Sequence, residues 1–486
     1  MNRRMITYML GRILIVEAFL MIPSVICGLI YKENIALTFL VPMAILIACG
    51  LPMCWKKPKN TAIYARDGFF IVAAAWVLMC LTGALPFIFS GEFEDVWTCI
   101  FEITSGFTTT GSTALAEVES LSKSILFWRS FSHWIGGMGV LVFVLAILPQ
   151  SDDRSLYLMR AEVPGPVAGK LVPKMKDTAK ILYAVYTAMT LILAILLIIG
   201  KMPVFDSLCH AFGTAGTGGF SVKNASIGAY DSVYIEMVIA VFMLLFGINF
   251  NLFYLILIGR AKEAFKSEEL RWYLAIIGIS TAAIAINIYR TFNSVGQSLR
   301  YSFFQVCTVV SSTGYSTTNF TDPGIFPYLA QHILFMLMLV GACAGSTGGG
   351  FKLSRVIILL KSFVQEVKKL FHPRAVAVVR LEGKAIDSTM FKGVLTYLSM
   401  FIVMICSSTL LISFNGYDFT TNVTAVITCF NNMGPTLGDT IGATGNFSIF
   451  NPFCKMVLSL DMLFGRLEIF PMLVLFTPSA WKIRNS

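Results

Sequence analysis

The sequence predicts an all-α polytopic membrane protein that contains four tandem repeats after two extra N-terminal transmembrane helices. The composition is the first observation behind this class, and an internal repeat is the second. Of 486 residues, 56% are hydrophobic and only 13% are charged, and the mean hydropathy is +0.75. Soluble domains carry about 25% charged residues. A chain this poor in charge requires lipid around much of its surface.

Ten stretches are long and apolar enough to cross a bilayer, which takes about 20 predominantly apolar residues in a helix. The first is predicted to be a retained span rather than a cleaved signal peptide, because it is too long for one. The eighth is interrupted by glycines. The stretches cover residues 7–30, 36–55, 69–90, 124–148, 179–200, 232–258, 270–288, 328–360, 391–414 and 453–476.

Lysine and arginine alternate between the loops in a way that predicts the orientation. Short cytoplasmic loops carry an excess of basic residues, and such residues cluster near 3–4, 56–59, 150–180, 260–271, 361–384 and 482–484. Both termini are therefore predicted to be cytoplasmic. The formal net charge of +10 follows from this topology and does not indicate nucleic-acid binding. One segment fits poorly, because 290–300 is predicted to be external yet contains Arg290 and Arg300.

Four external connections are too long and too apolar to be simple turns, and we expect each to re-enter the membrane as a half-length helix. They cover 95–115, 205–220, 296–318 and 418–437, and Asp95, Asp206 and Asp418 are predicted to begin three of the helices. Each connection ends in a short motif with a glycine, about 100 residues from the next. The motifs are Thr-Thr-Thr-Gly at 108–111, Ala-Gly-Thr-Gly at 215–218, Ser-Ser-Thr-Gly at 311–314 and Asn-Asn-Met-Gly at 431–434.

This repeat defines the predicted domain organisation. Residues 1–65 form the two extra helices, and 66–150, 151–265, 266–385 and 386–486 form repeats 1 to 4. Each repeat consists of a helix, a pore helix, an extended filter segment and a second helix. Four such units predict a pseudo-fourfold pore.

Non-helical backbone at membrane depth is tolerated only inside protein or beside water, so the four segments are expected to surround one axis. A ring of backbone carbonyls there can replace the hydration shell of a monovalent cation, and glycine allows the required backbone conformations. The hydroxyls at 108–110 and 311–313 are expected to add ligands. Taken singly, each motif also fits a small-residue packing site. The candidate ion-binding residues are Thr109, Thr110, Gly111, Thr217, Gly218, Ser312, Thr313, Gly314, Asn432, Met433 and Gly434.

The glycine-rich break at 341–350 predicts an intramembrane loop that occludes the pore, and we call it the gate loop. A helix does not easily continue through so many glycines. A phosphate-binding loop is excluded, because that motif requires lysine where this chain has Phe351. Lys352 is expected to extend to the cytoplasmic interface. The candidate gate residues are Gly345, Ser346, Thr347, Gly348, Gly349, Gly350 and Arg466.

Arg466 lies in the last span, where an arginine costs about 2.5 to 3.5 kcal/mol on insertion scales. Two interpretations account for it. It is either a fixed positive barrier to cations at the gate or a structural ion pair with Asp461, Glu468 or an acid of another helix. The barrier predicts faster flux for Arg466→Ala, and the ion pair predicts loss of folding or expression.

Essentially the whole chain resembles the Trk/Ktr/HKT potassium transporter superfamily, and within it the bacterial TrkH-type membrane subunit. The four filter motifs carry this resemblance, together with His-Trp-Ile-Gly-Gly-Met-Gly at 133–139, Ala-Gly-Ser-Thr-Gly-Gly-Gly at 344–350 and Gly-Arg-Leu-Glu at 465–468. The two extra N-terminal spans match the TrkH-type subgroup. One departure is Gly216, where the second filter segment lacks a hydroxyl.

The resemblance implies a channel-like, gated, K⁺-selective pore in the bacterial cytoplasmic (inner) membrane, with K⁺ as the transported ion. Gly111 favours potassium, because a serine there accompanies sodium preference in plant relatives. The resemblance also implies the gating role of the 344–350 motif and a pore position for Arg466. It further implies a homodimer and a cytosolic TrkA-like regulatory subunit that binds nucleotide and docks on inner loops such as 361–384.

Other functions remain open at this stage. A secondary transporter that couples K⁺ to H⁺ or Na⁺ would also use broken helices, although the filter motifs contain no acidic residue. A non-conducting scaffold is a second alternative, and a membrane-embedded enzyme is a weaker third. We expect no enzyme activity, organic cofactor or metal site apart from the filter, since the histidines are scattered and no nucleophile accompanies a base.

Overall fold

A computed structural model describes residues 2–58, 64–139, 175–372, 378–438, 440–442 and 446–477. Several sequence predictions fall outside these residues. They are the end of the fourth span at 140–148, the boundary between repeats 1 and 2 at 150, most of the basic segment 150–180, and the C-terminal basic residues at 482–484.

The N-terminal unit contains α1 (Arg3–Leu20), α2 (Ile22–Ile30) and α3 (Val41–Cys54). A π-helical turn, Ala36–Leu40, precedes α3. Helices α1 and α3 pack closely, since a Cβ built on Gly50 would lie 2.9 Å from the Gly11 carbonyl oxygen. Two small residues thus allow close approach of the two backbones.

The helices of the four predicted repeats follow in chain order. Repeat 1 contains α4 (Ala65–Gly83), α5 (Leu85–Ser90), α6 (Val96–Phe107) and α7 (Lys123–Gly137). Repeat 2 contains α8 (Met175–Ile199), α9 (Val204–Ala215), α10 (Val233–Phe246) and α11 (Phe250–Leu257). The short helix α12 (Ala261–Lys266) lies at the predicted boundary between repeats 2 and 3, and repeat 3 contains α13 (Glu268–Phe292), α14 (Val295–Val310), α15 (Tyr328–Val340) and α16 (Leu353–Phe371).

A small antiparallel hairpin precedes repeat 4. Its strands are β1 (Arg380–Leu381) and β2 (Lys384–Ala385), with Arg380 opposite Ala385. Repeat 4 contains α17 (Ser388–Ile412), α18 (Phe419–Phe430), α19 (Pro452–Arg466) and α20 (Phe470–Phe476). Within the described residues, three short 3-10 turns lie in connections that precede or follow the half-length helices: Ser226–Tyr230, Ser413–Asn415 and Phe447–Ile449.

The predicted half-length helices are α6, α9, α14 and α18, which we call pore helices 1 to 4. The Asp95 carboxylate caps pore helix 1 by accepting a hydrogen bond from the Thr98 amide at 2.7 Å, and Asp418 caps pore helix 4 through the Thr421 amide at 2.9 Å. Asp206 also lies at the start of its helix, as predicted, but inside the first turn of pore helix 2, and Pro203 takes the N-cap position. The Asp206 carboxylate accepts a hydrogen bond from the Tyr230 hydroxyl at 2.8 Å.

The repeats close into a ring through one recurring contact. The helix that follows each filter segment packs against the pore helix of the next repeat: α7 on pore helix 2, α10 on pore helix 3, α15 on pore helix 4, and α19 on pore helix 1. The last of these contacts joins the end of the chain to its first repeat. The predicted all-α fold of apolar helices is therefore confirmed, and the ring of contacts is consistent with four repeats around a pseudo-fourfold axis.

Within the described residues, six helical stretches are long and apolar enough to cross a membrane, and the bent pair α10–α11 makes a seventh. Two spans that were predicted to be continuous are divided, and the predicted interruption of the eighth span is present at the gate loop. The sixth span bends by 94° between α10 and α11. The tenth breaks after Leu467, where Glu468 and Ile469 have φ of 54° and 67°.

Candidate ion pathway

The backbone after each pore helix has the same unusual conformation. The second residue beyond the helix is left-handed in all four repeats, with φ of 57° at Thr109, 55° at Thr217, 59° at Ser312 and 51° at Asn432. Residues with a Cβ rarely adopt this conformation, and such conformations concentrate at functional sites. Its recurrence at one position indicates a shared backbone geometry for the four filter segments.

This geometry corrects the predicted register of the second repeat. Gly111, Gly219 and Gly314 are left-handed with φ of 83°, 77° and 89°, so Gly219, not Gly218, corresponds to Gly111. We therefore define filter segments 1 to 4 as residues 108–111, 216–219, 311–314 and 431–434. In this register Gly216 corresponds to Thr108 and Gly218 to Thr110, so the second segment lacks two hydroxyls rather than one.

Four glycines, one from each repeat, form a closed ring. They line one outer cavity of about 100 Å³: Gly111, Gly219, Gly314 and Gly434. A Cβ on the first would overlap the Gly218 carbonyl oxygen, and a Cβ on the second would overlap the Thr313 carbonyl oxygen. A Cβ on the third would lie 2.9 Å from the Gly434 nitrogen, and a Cβ on the fourth 2.9 Å from the Gly111 carbonyl oxygen. Each glycine therefore meets the backbone of the next repeat, and the ring leaves no room for side chains.

Two side-chain hydroxyls in each of filter segments 1 and 3 are paired with each other. The Thr108 and Thr110 hydroxyls hydrogen-bond to each other at 2.8 Å, and those of Ser311 and Thr313 do so at 2.7 Å. These bonds give the four side chains a structural role, in place of the predicted role as additional ion ligands. The backbone carbonyls remain the groups suited to a monovalent cation.

In filter segment 4 an amide replaces this hydroxyl pair. The Asn432 side chain donates to the Thr110 hydroxyl at 3.0 Å and to the Met462 carbonyl at 2.9 Å. It thereby joins filter segment 4 to filter segment 1 and to α19. The sequence motif contains this residue, but its bridging contacts depend on ring closure.

His133 supports filter segment 2 from behind, and sequence reasoning missed this role. Its Nδ1–H donates to the Gly106 carbonyl at 2.8 Å, and its Nε2 accepts from the Phe220 amide at 3.3 Å. A Cβ on Gly218 would overlap the imidazole. The signal available in the sequence was a histidine within the predicted fourth span, 124–148, and the structure buries it fully.

The gate loop lies directly against filter segments 3 and 4. The Gly349 amide donates to the Ser312 hydroxyl at 2.6 Å. A Cβ on Gly348 would lie 2.8 Å from the Ser311 carbonyl oxygen, and a Cβ on Gly349 would overlap the Asn431 carbonyl oxygen. The gate loop, which the sequence predicts to occlude the pore, therefore contacts two filter segments directly.

Repeat 2 and α13 hold the other side of the gate loop. The Glu269 carboxylate accepts from the Ala344 amide at 2.8 Å, and the Phe250 amide donates to the Gly345 carbonyl at 3.1 Å. The Cys343 amide donates to the Gly247 carbonyl, also at 3.1 Å. A bend between α10 and α11 frees backbone groups that a continuous helix would pair. The gate loop provides hydrogen-bond partners for two of these groups, and this accounts for the bend.

Arg466 bridges the gate loop and repeat 1. It donates to the Thr347 carbonyl at 2.9 Å, to the Gly137 carbonyl at 2.9 Å and to the Gly136 carbonyl. The acids considered as its partners have other contacts: Glu468 pairs with Arg355, and Asp461 accepts from the Ser408 hydroxyl at 2.7 Å. The arginine therefore joins three main-chain carbonyls from two parts of the ring.

Lys352 does not extend to the interface as predicted. Its ammonium donates to the Gly348 carbonyl, which fixes the side chain along the gate loop. The residue is itself left-handed, with φ of 75°. The Lys352 ammonium and the Arg466 guanidinium thus both contact carbonyls of the gate loop and place positive charge beside it.

The profile of a protein family described as "TrkH: Cation transport protein" matches residues 34–483. The chain belongs to the TrkH family. Similar proteins include a Trk system potassium uptake protein TrkH from Salmonella typhimurium, which is 34% identical over 488 residues and covers 99% of this chain and 100% of the relative. A Trk system potassium uptake protein TrkG from Escherichia coli is 31% identical, with 99% of each chain covered.

A solved structure is similar as well. The crystal structure of the potassium transporter TrkH from Vibrio parahaemolyticus matches with a TM-score of 0.89 and 30% identity, over 99% of this chain and 100% of that one. TrkH family membership and the apolar helices make the protein a multi-pass membrane protein. The TrkH family is one of cation transporters, and the closed glycine ring is the feature of this chain suited to that chemistry.

Proposed function

We propose that this protein takes up potassium across the bacterial cytoplasmic membrane through a gated, K⁺-selective, channel-like pore. The closed ring of four filter segments is the single observation that carries the proposal. It surrounds one cavity with backbone from all four repeats, and carbonyl groups so placed can replace the water around a monovalent cation. The names of the relatives, which are potassium uptake proteins, support potassium as the ion.

The proposed ion-binding residues are those of the four filter segments, with Gly219 added by the corrected register. The residues are Thr109, Thr110, Gly111, Thr217, Gly218, Gly219, Ser312, Thr313, Gly314, Asn432, Met433 and Gly434. Pore helices 1 to 4 end at these segments, so the negative ends of their dipoles favour a cation there. The proposed division of the chain remains 1–65 for the extra helices and four repeats from residue 66 onward.

The gate loop, with Gly345 to Gly350, is the proposed gate, and Arg466 is its proposed electrostatic barrier. Hydrogen bonds of Ser312, Glu269 and Arg466 hold the loop against the filter. A cation that leaves the filter would meet this loop and two positive side chains. Opening requires the loop to leave Ser312 and the arginine to leave at least one of its carbonyls.

The proposal is tested by ⁸⁶Rb⁺ uptake into proteoliposomes that contain the purified protein and trapped K⁺ or Na⁺. We expect uptake driven by trapped K⁺ without a proton or sodium gradient. Gly111→Ser should reduce K⁺ preference, because the position is left-handed and its Cβ would overlap the next filter segment. Gly416→Ser is the matched control, since Gly416 has φ of 79° but no atom within 4 Å of a built Cβ.

Two results would contradict the mechanism. Uptake only in an imposed proton or sodium gradient would favour a coupled symporter. A lack of uptake, with a regulatory partner and nucleotide also present, would favour a non-conducting scaffold. Equal effects of Gly111→Ser and Gly416→Ser would mean that the glycine ring does not select the ion.

The proposed assembly is a homodimer with both termini in the cytoplasm and a cytosolic TrkA-like nucleotide-binding partner. The phrase "Trk system" in the relatives' names supports a multi-component assembly. The proposed docking region includes the cytoplasmic end of α16, where Lys368 is exposed. Lys368→Glu should weaken co-purification of such a partner while the Rb⁺ flux of the isolated protein is retained, and unchanged co-purification would exclude this residue from the docking region.

A further inference from the structure

We propose that the buried pair Glu102–Arg129 is a positioning site for ion selectivity, which holds the outer ends of filter segments 1 and 2 at a fixed separation. The inference rests on the proposed function, because it assigns a role at the same filter. Neither residue belongs to a filter motif. The two residues are 27 positions apart in the sequence, and the structure shows that they form an ion pair.

Glu102, in pore helix 1, is fully buried, and donors engage both of its carboxylate oxygens. Oε1 accepts from the Thr113 hydroxyl at 2.6 Å and from the Ala114 amide at 2.5 Å. Oε2 accepts from Arg129 Nε at 2.9 Å. Hydrogen bonds to an ionised group are shorter and stronger than neutral ones. The segment just after Gly111 is therefore bound firmly to its own pore helix.

Arg129, on α7, is 2% exposed and carries the connection to repeat 2. Its Nη1 donates to the Ser221 carbonyl at 3.1 Å, and its guanidinium carbon lies 3.4 Å from the centre of the Phe220 ring. These two residues directly follow Gly219. One ion pair thus joins the exits of two neighbouring filter segments.

The corresponding positions of the other three repeats contain no acidic residue, so the ion pair is specific to repeat 1. Counted back from the end of each pore helix, Glu102 corresponds to His210, Gln305 and Ala425. His210 Nε2 forms a 3.0 Å hydrogen bond with the Ser221 hydroxyl, the equivalent of the contact between Glu102 and Thr113. Within the described residues, the Gln305 amide has no hydrogen-bond partner, and Ala425 has no polar side-chain atom.

Selectivity is sensitive to this geometry because it depends on the number and placement of carbonyl dipoles around the ion. A charged guanidinium with several fixed donors defines position better than a lysine, whose ammonium is a point charge on a flexible stem. Arg129 also lines the outer cavity beside the glycine ring. Its bond to Glu102 places a compensating negative charge there, so that the pair does not repel the entering cation.

The test compares Arg129→Lys, which keeps the charge but loses the forked contacts, with the milder Thr113→Val, which removes one hydrogen bond to Glu102. The readout is the ratio of Na⁺ to K⁺ concentrations that half-inhibit ⁸⁶Rb⁺ uptake in proteoliposomes. Arg300→Lys is the matched control. Its Nε lies 3.1 Å from Glu236 Oε2 in another largely buried pair, near the start of pore helix 3 and away from the filter.

We expect Arg129→Lys to lower the ratio about tenfold, Thr113→Val to lower it about threefold, and Arg300→Lys to leave it unchanged. Thermal unfolding of each purified variant separates selectivity from stability. An unchanged ratio in Arg129→Lys, or an equal fall in Arg300→Lys, would overturn the inference while wild-type selectivity still supports the proposed function. If Arg129→Lys does not fold, an unchanged ratio in Thr113→Val overturns it. Wild-type protein without selective uptake would instead overturn the proposed function.

Discussion

Filter segments 1 and 2 have different neighbours from filter segments 3 and 4. The first two are supported by pore-helix and α7 side chains, namely Glu102, Arg129, His133 and His210. The last two contact the gate loop through Ser312, Ser311 and Asn431. One half of the ring is thus bound to the helical scaffold, whereas the other half, which Asn432 also joins to α19, is bound to the element proposed to move.

This asymmetry shows how a pseudo-fourfold filter can be opened from one side. A gate that withdrew from all four filter segments would remove support from the entire ring. Here its withdrawal breaks the Gly349–Ser312 hydrogen bond and leaves the contacts of Glu102 and His133 unchanged. We infer that filter segments 1 and 2 preserve selectivity while filter segments 3 and 4 communicate with the gate. The following predictions test this division.

The largest expected effect comes from Arg466→Ala, because this residue links the two halves through the Thr347 carbonyl and the Gly137 carbonyl. Its removal eliminates both the link and a positive charge, and we expect ⁸⁶Rb⁺ uptake to rise about tenfold or more. Arg466→Lys, which keeps the charge, should raise it far less. Poor expression or a lowered melting temperature, without faster uptake, would support the structural interpretation of Arg466.

Gly349→Ala should have the next largest effect. A Cβ at this position would overlap the Asn431 carbonyl oxygen and lie 2.8 Å from Asn432 Cβ, so the gate loop cannot seat against filter segment 4. We expect uptake to rise about fivefold while K⁺ preference is kept, since the cost of overpacking is typically about 1 to 3 kcal/mol. Gly393→Ala is the control, because nothing lies within 4 Å of its built Cβ. Loss of K⁺ preference would contradict the division between the two halves.

The sequence predicted the repeat and the gate loop but not the contacts between them. The four glycine-containing motifs can be recognised in the sequence. In the second motif, however, Gly218 and Gly219 both fit the pattern, and only the backbone conformation shows which one corresponds to Gly111. The bend at Gly247 was missed because its cause is a hydrogen bond to Cys343, far along the chain. Periodicity predicts a continuous apolar helix there.

Polar residues within apolar segments predict the structure less well than the repeated motifs do, and their contacts were not predicted from the sequence. Glu102, Arg129 and His133 are buried, and intramembrane charges are expected to have partners and functions. Their partners lie in other elements of the fold and cannot be paired by spacing alone. The same limit explains Lys352, whose position near a span end suggested the interface although its partner is the Gly348 carbonyl.

Ser312 and Thr109 occupy the same position in opposite halves of the ring and offer a direct comparison. Ser312 accepts the Gly349 hydrogen bond at 2.6 Å, whereas the Thr109 hydroxyl has no hydrogen-bond partner among the described residues. Loss of one hydrogen bond changes an equilibrium by about 1 kcal/mol. We therefore expect Ser312→Ala to raise ⁸⁶Rb⁺ uptake about threefold and Thr109→Ala not to raise it. A similar increase in both variants would mean that the hydroxyl affects the filter itself and not the gate.

The smallest expected effect lies at the outer mouth, where Lys223 lines the cavity above the glycine ring and binds Glu119 at 2.8 Å. The hydrogen bond from Lys223 holds the pKa of the Glu119 carboxyl below its ordinary value of 4.5. The negative charge that offsets Lys223 therefore persists to a lower pH than that of an ordinary glutamate, and it is lost as the pH falls through the lowered pKa. Both side chains are 38% exposed, so salt screens the pair.

Lys223→Gln should therefore raise ⁸⁶Rb⁺ uptake less than about twofold at low ionic strength, and the difference should vanish at high salt. It should also return the pKa of Glu119 towards 4.5, so that the carboxylate is protonated at a higher pH than in the wild type. Lys201→Gln provides the matched change, since Lys201 is exposed and lies outside the cavity lining. An effect of Lys223→Gln that persists at high salt would require a direct contact with the ion rather than a long-range field, and the outer mouth would then belong to the filter itself.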